Sequence, residues 1–291
     1  MRGIMLKVGF IGAGTVGTAL AILLSSKGYQ FVGASRRSRS SPGNLNRAVS
    51  NLRLLDSNQD VADAAELVFI TTPDDSIAEV TRQVKWRRGQ SVVHCSGADS
   101  TDILEPARKA GAMVGGFHPL QTFAGIEQAV ENIPGSTFAI EAEEPLLTSL
   151  KDMAHTLGGY SIELKASDKV AYHAAAVFAC NYLVTLVKLA TDLWQTFSIP
   201  PDQAIRALLP LIGGTLRNIE NIGLPQCLTG PIARGDTGTI KKHIEALQEK
   251  APALLSTYKE LGRQTIPIAL DKGRINEQQA SELEAILKTV L

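Results

Sequence analysis

The chain has little that would mark a secreted or nucleic-acid-binding protein. Only three cysteines, Cys95, Cys180 and Cys227, occur in 291 residues; they have no metal-ligand spacing and are too few for a disulfide framework, so a reducing cytoplasm is expected. Charge of one sign is also missing. The 29 basic and 29 acidic residues cancel, and no global field favours nucleic acid or a membrane surface. Internal repeats, low-complexity segments and Pro/Ser-rich linkers are absent as well. Uninterrupted hydrophobic runs are scarce. Residues 4–24 are apolar, but Lys7 and a glycine cluster break them, against a signal peptide or anchor. Val170 to Val187 approaches the length of a membrane span, yet carries Tyr172, His173, Asn181 and Tyr182, which are costly in lipid and useful in a polar cleft.

What is present begins at Val8. V-G-F-I-G-A-G-T-V-G is an apolar strand running into Gly12-x-Gly14-x-x-Gly17 and then a helical run to Leu24. Gly12 suits the tight turn, Gly14 a close backbone approach to pyrophosphate, and Gly17 the closing of helix onto sheet. The helix start at Ala13, Thr15 and Val16 directs N–H groups and the positive dipole end at phosphates. An NAD site usually places Asp or Glu at the end of the next strand, about 20 residues on. Here stands Ser35-Arg36-Arg37. A hydroxyl and two guanidinium groups suit a 2′-phosphate, so NADP(H) is expected; the alternative is a solvated basic loop.

Short β-branched runs alternate with helical patterns through the first half, predicting a Rossmann-type, doubly wound, mainly parallel α/β sheet. Strands are expected at Lys7–Ile11, Gln30–Ala34, Arg53–Leu55, Leu67–Thr71, Ser91–His94, Val114–Phe117, Thr137–Ile140 and Ser161–Glu163. Beyond Lys165 only helical spacing remains, at about 167–197, 201–220, 239–249, 251–272 and 276–290. The reading is an NADP-binding domain over 1–164 and an all-α substrate and dimerisation domain over 165–291.

Ligands of open parallel sheets bind at the carboxyl ends of strands. Thr72 and Pro73, in a rigid loop after the fourth predicted strand, are assigned to the cofactor, with Asp74 and Asp75 capping the next helix. Ser96 and Gly97 follow the fifth, and His118 the sixth; all three are assigned to substrate. His94, Cys95 and His118 lack an evident fourth ligand, and no metal is expected. Lys169 and His173 lie on nearly one helical face, since four residues turn about 40° beyond a full circle. With Asn181 they form the catalytic set: Lys169 or His173 as proton donor to a developing alkoxide, and Asn181 as the orienting amide. In Leu228-Thr-Gly-Pro-Ile-Ala-Arg-Gly-Asp236, Arg234 is assigned to a substrate carboxylate, with Asp236 fixing its guanidinium.

The segments G-F-I-G-A-G-T-V-G, H-C-S-G-A, G-F-H-P-L-Q-T-F, Y-H-A-A-A-V-F-A-C-N-Y and L-T-G-P-I-A-R-G-D together resemble a family of NADP-dependent oxidoreductases in which a Rossmann domain precedes a helical one. More distantly the arrangement is similar to β-hydroxyacid dehydrogenases, ketopantoate reductase and pyrroline-5-carboxylate reductase. The resemblance implies a cleft between domains, catalytic residues on the first long helix, and a homodimer. Lys169 and Asn181 lie on a helix like the one bearing the lysine and asparagine of β-hydroxyacid dehydrogenases and ketopantoate reductase, whereas His173 is an addition. The expected activity is NADPH-dependent hydride transfer to the carbonyl of a small keto acid. The alternatives are a cyclic imine reductase and a non-catalytic NADP(H) sensor.

Overall fold

The computed structural model describes residues 6–36 and 53–288. Arg37, assigned above to the cofactor, lies outside the described residues. Two compact units are formed, residues 1–180 and 181–291.

In the first unit, β1 (Lys7–Ile11) leads through the glycine turn into α1 (Thr15–Ser26). There follow β2 (Gln30–Ser35), α2 (Asn58–Ala64), β3 (Leu67–Ile70), α3 (Asp74–Gln83) and β4 (Ser91–His94). A 3₁₀ turn over Thr101–Leu104 precedes α4 (Glu105–Lys109), β5 (Met113–Leu120), α5 (Ile126–Asn132), β6 (Thr137–Ala142), α6 (Leu146–Thr156) and β7 (Tyr160–Glu163). The strand order is β2-β1-β3-β4-β5-β6-β7. Every pairing is parallel except β5 with β6.

Central strands buried on both faces must be apolar throughout, which is why β3 reads Leu-Val-Phe-Ile without alternation. Phe10, Phe69, Phe117 and Phe138 pack ring to ring on one side of the sheet, at centroid separations of 5.2, 5.8 and 4.5 Å. The expected strand at Arg53–Leu55 makes only one bridge, Leu54 to Ala34. Its neighbour Ser57 opens α2 with a reciprocal capping box to Asp60, which leaves no room for a ladder. β5 runs past its expected end at Phe117 and takes in His118 and Pro119, because the antiparallel β6 supplies partners as far as Leu120.

The strand pattern ends at β7, as the sequence predicts, and α7 (Lys169–Ala176) follows within the first unit. A π-turn over Val177–Asn181 spans the division between the units. The second unit holds α8 (Tyr182–Gln195), α9 (Pro201–Ile222), α10 (Thr237–Lys250), α11 (Leu255–Asp271) and α12 (Glu277–Lys288). Its core gathers Ile232, Ile240, Ile244, Ile266, Leu283 and Leu287. The sequence Asn276-Glu-Gln-Gln279 forms the reciprocal cap expected of it, with Asn276 N–H donating to Gln279 Oε1 at 3.1 Å and Gln279 N–H to Asn276 Oδ1 at 2.9 Å. By length and composition alone, the helical stretch Ala166–Gln195 could cross a membrane.

Candidate active site

The strand order reverses between β1 and β3, and the ligand crevice of an open α/β sheet lies beyond the carboxyl ends of strands at such a point. Gly12 sits in it with φ of 109°, and a Cβ added there would stand 2.7 Å from the carbonyl carbon of Thr71 and the nitrogen of Thr72. At Gly17 a Cβ would collide with Thr71 Oγ1 and the Gly12 carbonyl oxygen, and Thr71 Oγ1 donates to that same carbonyl at 2.6 Å. Gly14 differs: nothing but the Thr71 carbonyl, 4.0 Å away, faces its Cβ position. So two of the glycines answer close packing, and the third keeps open space at the start of α1.

Neither a side-chain cap nor an acidic residue occupies the first turn of α1. Its N–H groups at Thr15, Val16 and Gly17 suit a pyrophosphate, while Ala13 and Val16 pack against the core. Thr72 Oγ1 is buried here without a partner among the described residues, a donor suited to the same ligand. The residues therefore fit a dinucleotide. Ser35 is placed otherwise than its assignment suggests, since it is 2% exposed and its hydroxyl donates to Asn58 Oδ1 at 2.6 Å. Arg36 follows β2 directly. Pro73, not an aspartate, stands at the N-cap of α3, and Asp74 turns its carboxylate to Ser96 instead.

The second cluster follows from sheet register. His94 on β4 pairs with Gly116 on β5, and Gly116 with Glu141 on β6. Residues opposite one another share a face, and His118, two along from Gly116, shares it too. Gly116 has no side chain in this row, and its Cβ position would lie 2.9 Å from Lys169 Nζ and 3.4 Å from His94 Nε2. Lys169, 3% exposed, sets its ammonium there and pairs with Glu141 Oε2 at 3.3 Å. Glu141 is held in turn by Thr101, whose N–H lies 3.1 Å from both carboxylate oxygens and whose hydroxyl donates to Oε1 at 2.9 Å.

One helical turn along α7, Tyr172 and His173 face the same strand ends, as i, i+3 and i, i+4 spacing from Lys169 requires. Tyr172 Oη lies 2.8 Å from His118 Nδ1, and the rings of His118 and His173 meet edge-on. Over Gly97 a Cβ would be 2.7 Å from His173 Nδ1 and 2.9 Å from His118 Nε2. Gly97 thus admits both imidazoles, and His173 Nδ1 is buried without a partner among the described residues. Ser96 is buried and engaged within its loop. Its Oγ lies 2.8 Å from Asp74 Oδ2 and 2.9 Å from Asp99 Oδ2, and it accepts from the N–H groups of Ala98 and Asp99.

Burial sets the electrostatics. It pushes His94 down to about 3 and His118 down to about 4, with nearby cationic groups adding to both. Burial also pulls Lys169 below the usual lysine range, and the Glu141 carboxylate opposes this. The phenol of Tyr172 and the thiol of Cys95 are raised to about 12, also by burial, leaving Cys95 an unreactive thiol. Among the described residues no group of three His, Cys, Asp or Glu side chains could hold a metal ion.

A stability test follows. His94 titrates near 6.5 when unfolded and near 3 when folded, so the unfolded chain binds the extra proton and stability falls as pH drops through that window. The expected slope is about 1.4 kcal/mol per pH unit for this one ring. His94→Asn keeps an acceptor for the Ser96 N–H, which His94 Nδ1 now receives at 3.1 Å, and removes that slope. Urea unfolding of both proteins across the acid range measures it, and equal slopes would count against a neutral buried His94.

In the second unit, Arg234 ends a 3₁₀ turn with its side chain 65% exposed and Asp236 Oδ2 at 3.9 Å. The Asp236 carboxylate is occupied in capping α10 through the N–H and hydroxyl of Thr239, at 2.9 and 2.7 Å. Arg234 is thereby loosely held and available to an anion. Asn181 is exposed at the end of the π-turn. The phase of a regular α-helix, which underlies its grouping with Lys169 and His173, does not run through such a turn. Glu141 and Thr101 are the members of the cluster that sequence reasoning missed. Only the pairing of β5 with β6 brings them in, and no local motif signals it.

Comparison with known proteins agrees with this architecture. Residues 1–119 match a Rossmann-like domain, and residues 136–265 match a domain of unknown function, DUF2520. The chain is similar to a provisionally assigned NADP oxidoreductase from Bacteroides fragilis, with a TM-score of 0.73 and 27% identity over 90% of this chain and 98% of that one. A reductive aminase from Aspergillus terreus, solved with NADPH4, cyclohexanone and allyl amine, has a TM-score of 0.63 at 14% identity over 97% and 99% of the two chains. A 1-pyrroline-5-carboxylate reductase from Streptococcus pyogenes has 0.60 at 14% over 96% and 98%. A curated relative, the glycerol-3-phosphate dehydrogenase [NAD(P)+] of Clostridium botulinum, is 31% identical over 101 residues, which span 31% of this chain and 30% of that relative's length. The chain thus holds a segment that matches a Rossmann-like domain followed by one that matches a DUF2520 domain, and its fold is similar to that of NADP oxidoreductases.

Proposed function

We propose that the protein is an NADPH-dependent reductase acting on the carbonyl of a small keto acid. The observation that carries this reading is the buried Lys169 ammonium, held by Glu141 over Gly116 at the strand ends. Bound NADPH would supply the hydride that reduces the carbonyl carbon. Gly12, Gly14, Gly17 and Thr72 would hold its phosphates and ribose, and Arg36 with Arg37 its 2′-phosphate. Lys169 then gives a proton to the oxygen as it becomes an alkoxide. His118, kept neutral and fixed by Tyr172, positions the carbonyl without competing for that proton. A cyclic iminium substrate fits less well, because a cation beside the Lys169 ammonium is repelled.

The activity is tested by screening 2-keto and 3-keto acids for oxidation of NADPH, followed by absorbance. Cofactor choice has its own measurement. Arg36→Ala combined with Arg37→Ala should weaken NADPH binding by about 10- to 100-fold and leave NADH unaffected, as expected for the loss of one or two charge-assisted bonds worth about 1.5–3 kcal/mol. An equal effect on both nucleotides would remove the 2′-phosphate from the reading.

We also propose a homodimer formed through α9. Of its 22 residues only Ala204 is buried, while Ile205, Leu209, Leu211, Leu216, Ile219 and Ile222 are exposed. Pro210, Gly213 and Gly214 lower its intrinsic helicity, so tertiary or quaternary packing has to hold it. Its charges are few, which suits a self-complementary apolar contact. Leu209→Asp with Leu216→Asp should halve the mass seen in sedimentation equilibrium. We further read the protein as cytoplasmic, supported by three free thiols, and its apolar helix as packed against strand ends, where Lys169 and Tyr172 make their polar contacts.

A further inference from the structure

A proton that Lys169 gives away has to be replaced, and its ammonium is almost sealed from solvent. Gly116 and the fully buried His94 close one side of it. Glu141 stands on another, with Oε1 taken by the Thr101 hydroxyl and Oε2 turned to Lys169 Nζ. The Glu141 side chain retains 14% exposure. It forms part of the wall of a cavity of about 610 Å³, with Thr101, Arg108, Glu144, Glu163 and Lys165 among the other lining residues. Glu144, Glu163 and Lys165 are exposed, so water reaches this cavity. A group needed only to neutralise the ammonium has no reason to bridge a sealed amine and a wet cavity.

We infer that Glu141 relays protons from the solvent in this cavity to Lys169, acting as a positioning residue that recharges the amine while substrate occupies the strand ends. The inference rests on the reading of Lys169 as the proton donor. When the O–H bond of the product alcohol forms, an N–H bond of Lys169 breaks and a neutral amine remains. The Glu141 carboxylate then takes a proton from hydronium or a buffer acid in the cavity, and its new O–H bond breaks as that N–H bond reforms, which restores the ion pair. One proton enters for each hydride delivered to the carbonyl, and the relay itself moves no electrons between groups.

The test is the exchange of Lys169 ammonium protons with water, read by NMR on protein carrying ¹⁵N-labelled lysine, which needs no substrate. In the wild-type protein the exchange rate should level off between about pH 5 and about pH 8, since the catalyst is a fixed carboxylate of constant local concentration. Glu141→Gln keeps the size and the Thr101 contacts of the side chain, and should slow exchange by about tenfold or more, with added formate restoring part of it. Glu163→Gln keeps the Glu141 carboxylate and its Thr101 contacts and should leave the rate near that of the wild type. Exchange that rises tenfold per pH unit in the wild-type protein, as direct attack by hydroxide requires, overturns the relay even if Glu141→Gln fails to fold. So does an unchanged rate in Glu141→Gln, or a Glu163→Gln rate as slow as that of Glu141→Gln. A keto-acid screen that finds no substrate would undo the reductase reading and leave these rates untouched, so the two failures are distinguishable.

Discussion

Lys169→Met is expected to lower kcat for NADPH-dependent keto-acid reduction by about 10²- to 10⁴-fold, the usual worth of a positioned general acid, with NADPH affinity unchanged. Methionine has a similar length and no proton to give. On the proposed reading the nucleotide would be held elsewhere, at the glycine turn between β1 and α1. Glu141 loses its cation in this variant but keeps the Thr101 N–H and hydroxyl, so the carboxylate is not left without donors. That limits the destabilisation to less than the roughly 3–5 kcal/mol of a broken buried ion pair. Lys169→Arg separates charge from proton transfer. A guanidinium still stabilises an alkoxide but holds its proton too tightly to release it, and should be nearly as slow as methionine. If Lys169→Met turned over any keto acid at the wild-type rate, the donor would have to be sought elsewhere, with His173 next, since its buried Nδ1 has no partner.

The second large effect divides the glycines of the fingerprint. Gly12→Ala forces a side chain onto a backbone with φ of 109° and drives its Cβ to 2.7 Å from the Thr71–Thr72 peptide. Strain of this kind together with overpacking is expected to cost about 2–6 kcal/mol, a large share of a domain's stability. Gly14→Ala meets only an oxygen 4.0 Å away, so denaturant midpoints should stay at the wild-type value. The new methyl group nevertheless enters the space beside the uncapped start of α1 and should abolish detectable NADPH binding. Calorimetric titration beside urea unfolding on the two variants separates these outcomes. A Gly14→Ala protein that binds NADPH normally would show that the dinucleotide does not lie against this turn.

Much of this architecture is legible in the sequence because it is local. The strand, glycine turn and helix from Lys7 to Ser26 are encoded by adjacent residues, and the change from period two to period 3.6 near Lys165 marks where the sheet ends. Lys169, Tyr172 and His173 fall together on α7 by simple helical spacing. What resists reading is non-local. That β6 runs against β5, and so places Glu141 beside Gly116, depends on pairing between distant segments. The hydroxyls of Ser35 and Ser96 look available to ligands in sequence, but Asn58 and Asp74 engage them from helices distant in the chain, and Asp99 shares the Ser96 hydroxyl within its loop. The π-turn before α8 likewise has no signature in the apolar run around it.

The alternation along β5 carries a consequence for how such a protein can change. Phe117 points into the stacked phenylalanines, and its neighbours Gly116 and His118 point to the polar row. Loss of one residue from the first half of this strand would exchange the two sets, placing an imidazole among phenyl rings and a phenyl ring over the Lys169 ammonium. Core and chemistry would fail in the same step. Lineages with this sheet can therefore lengthen the loops around β5 freely, whereas a change of phase within the strand has no half-functional intermediate through which selection could pass.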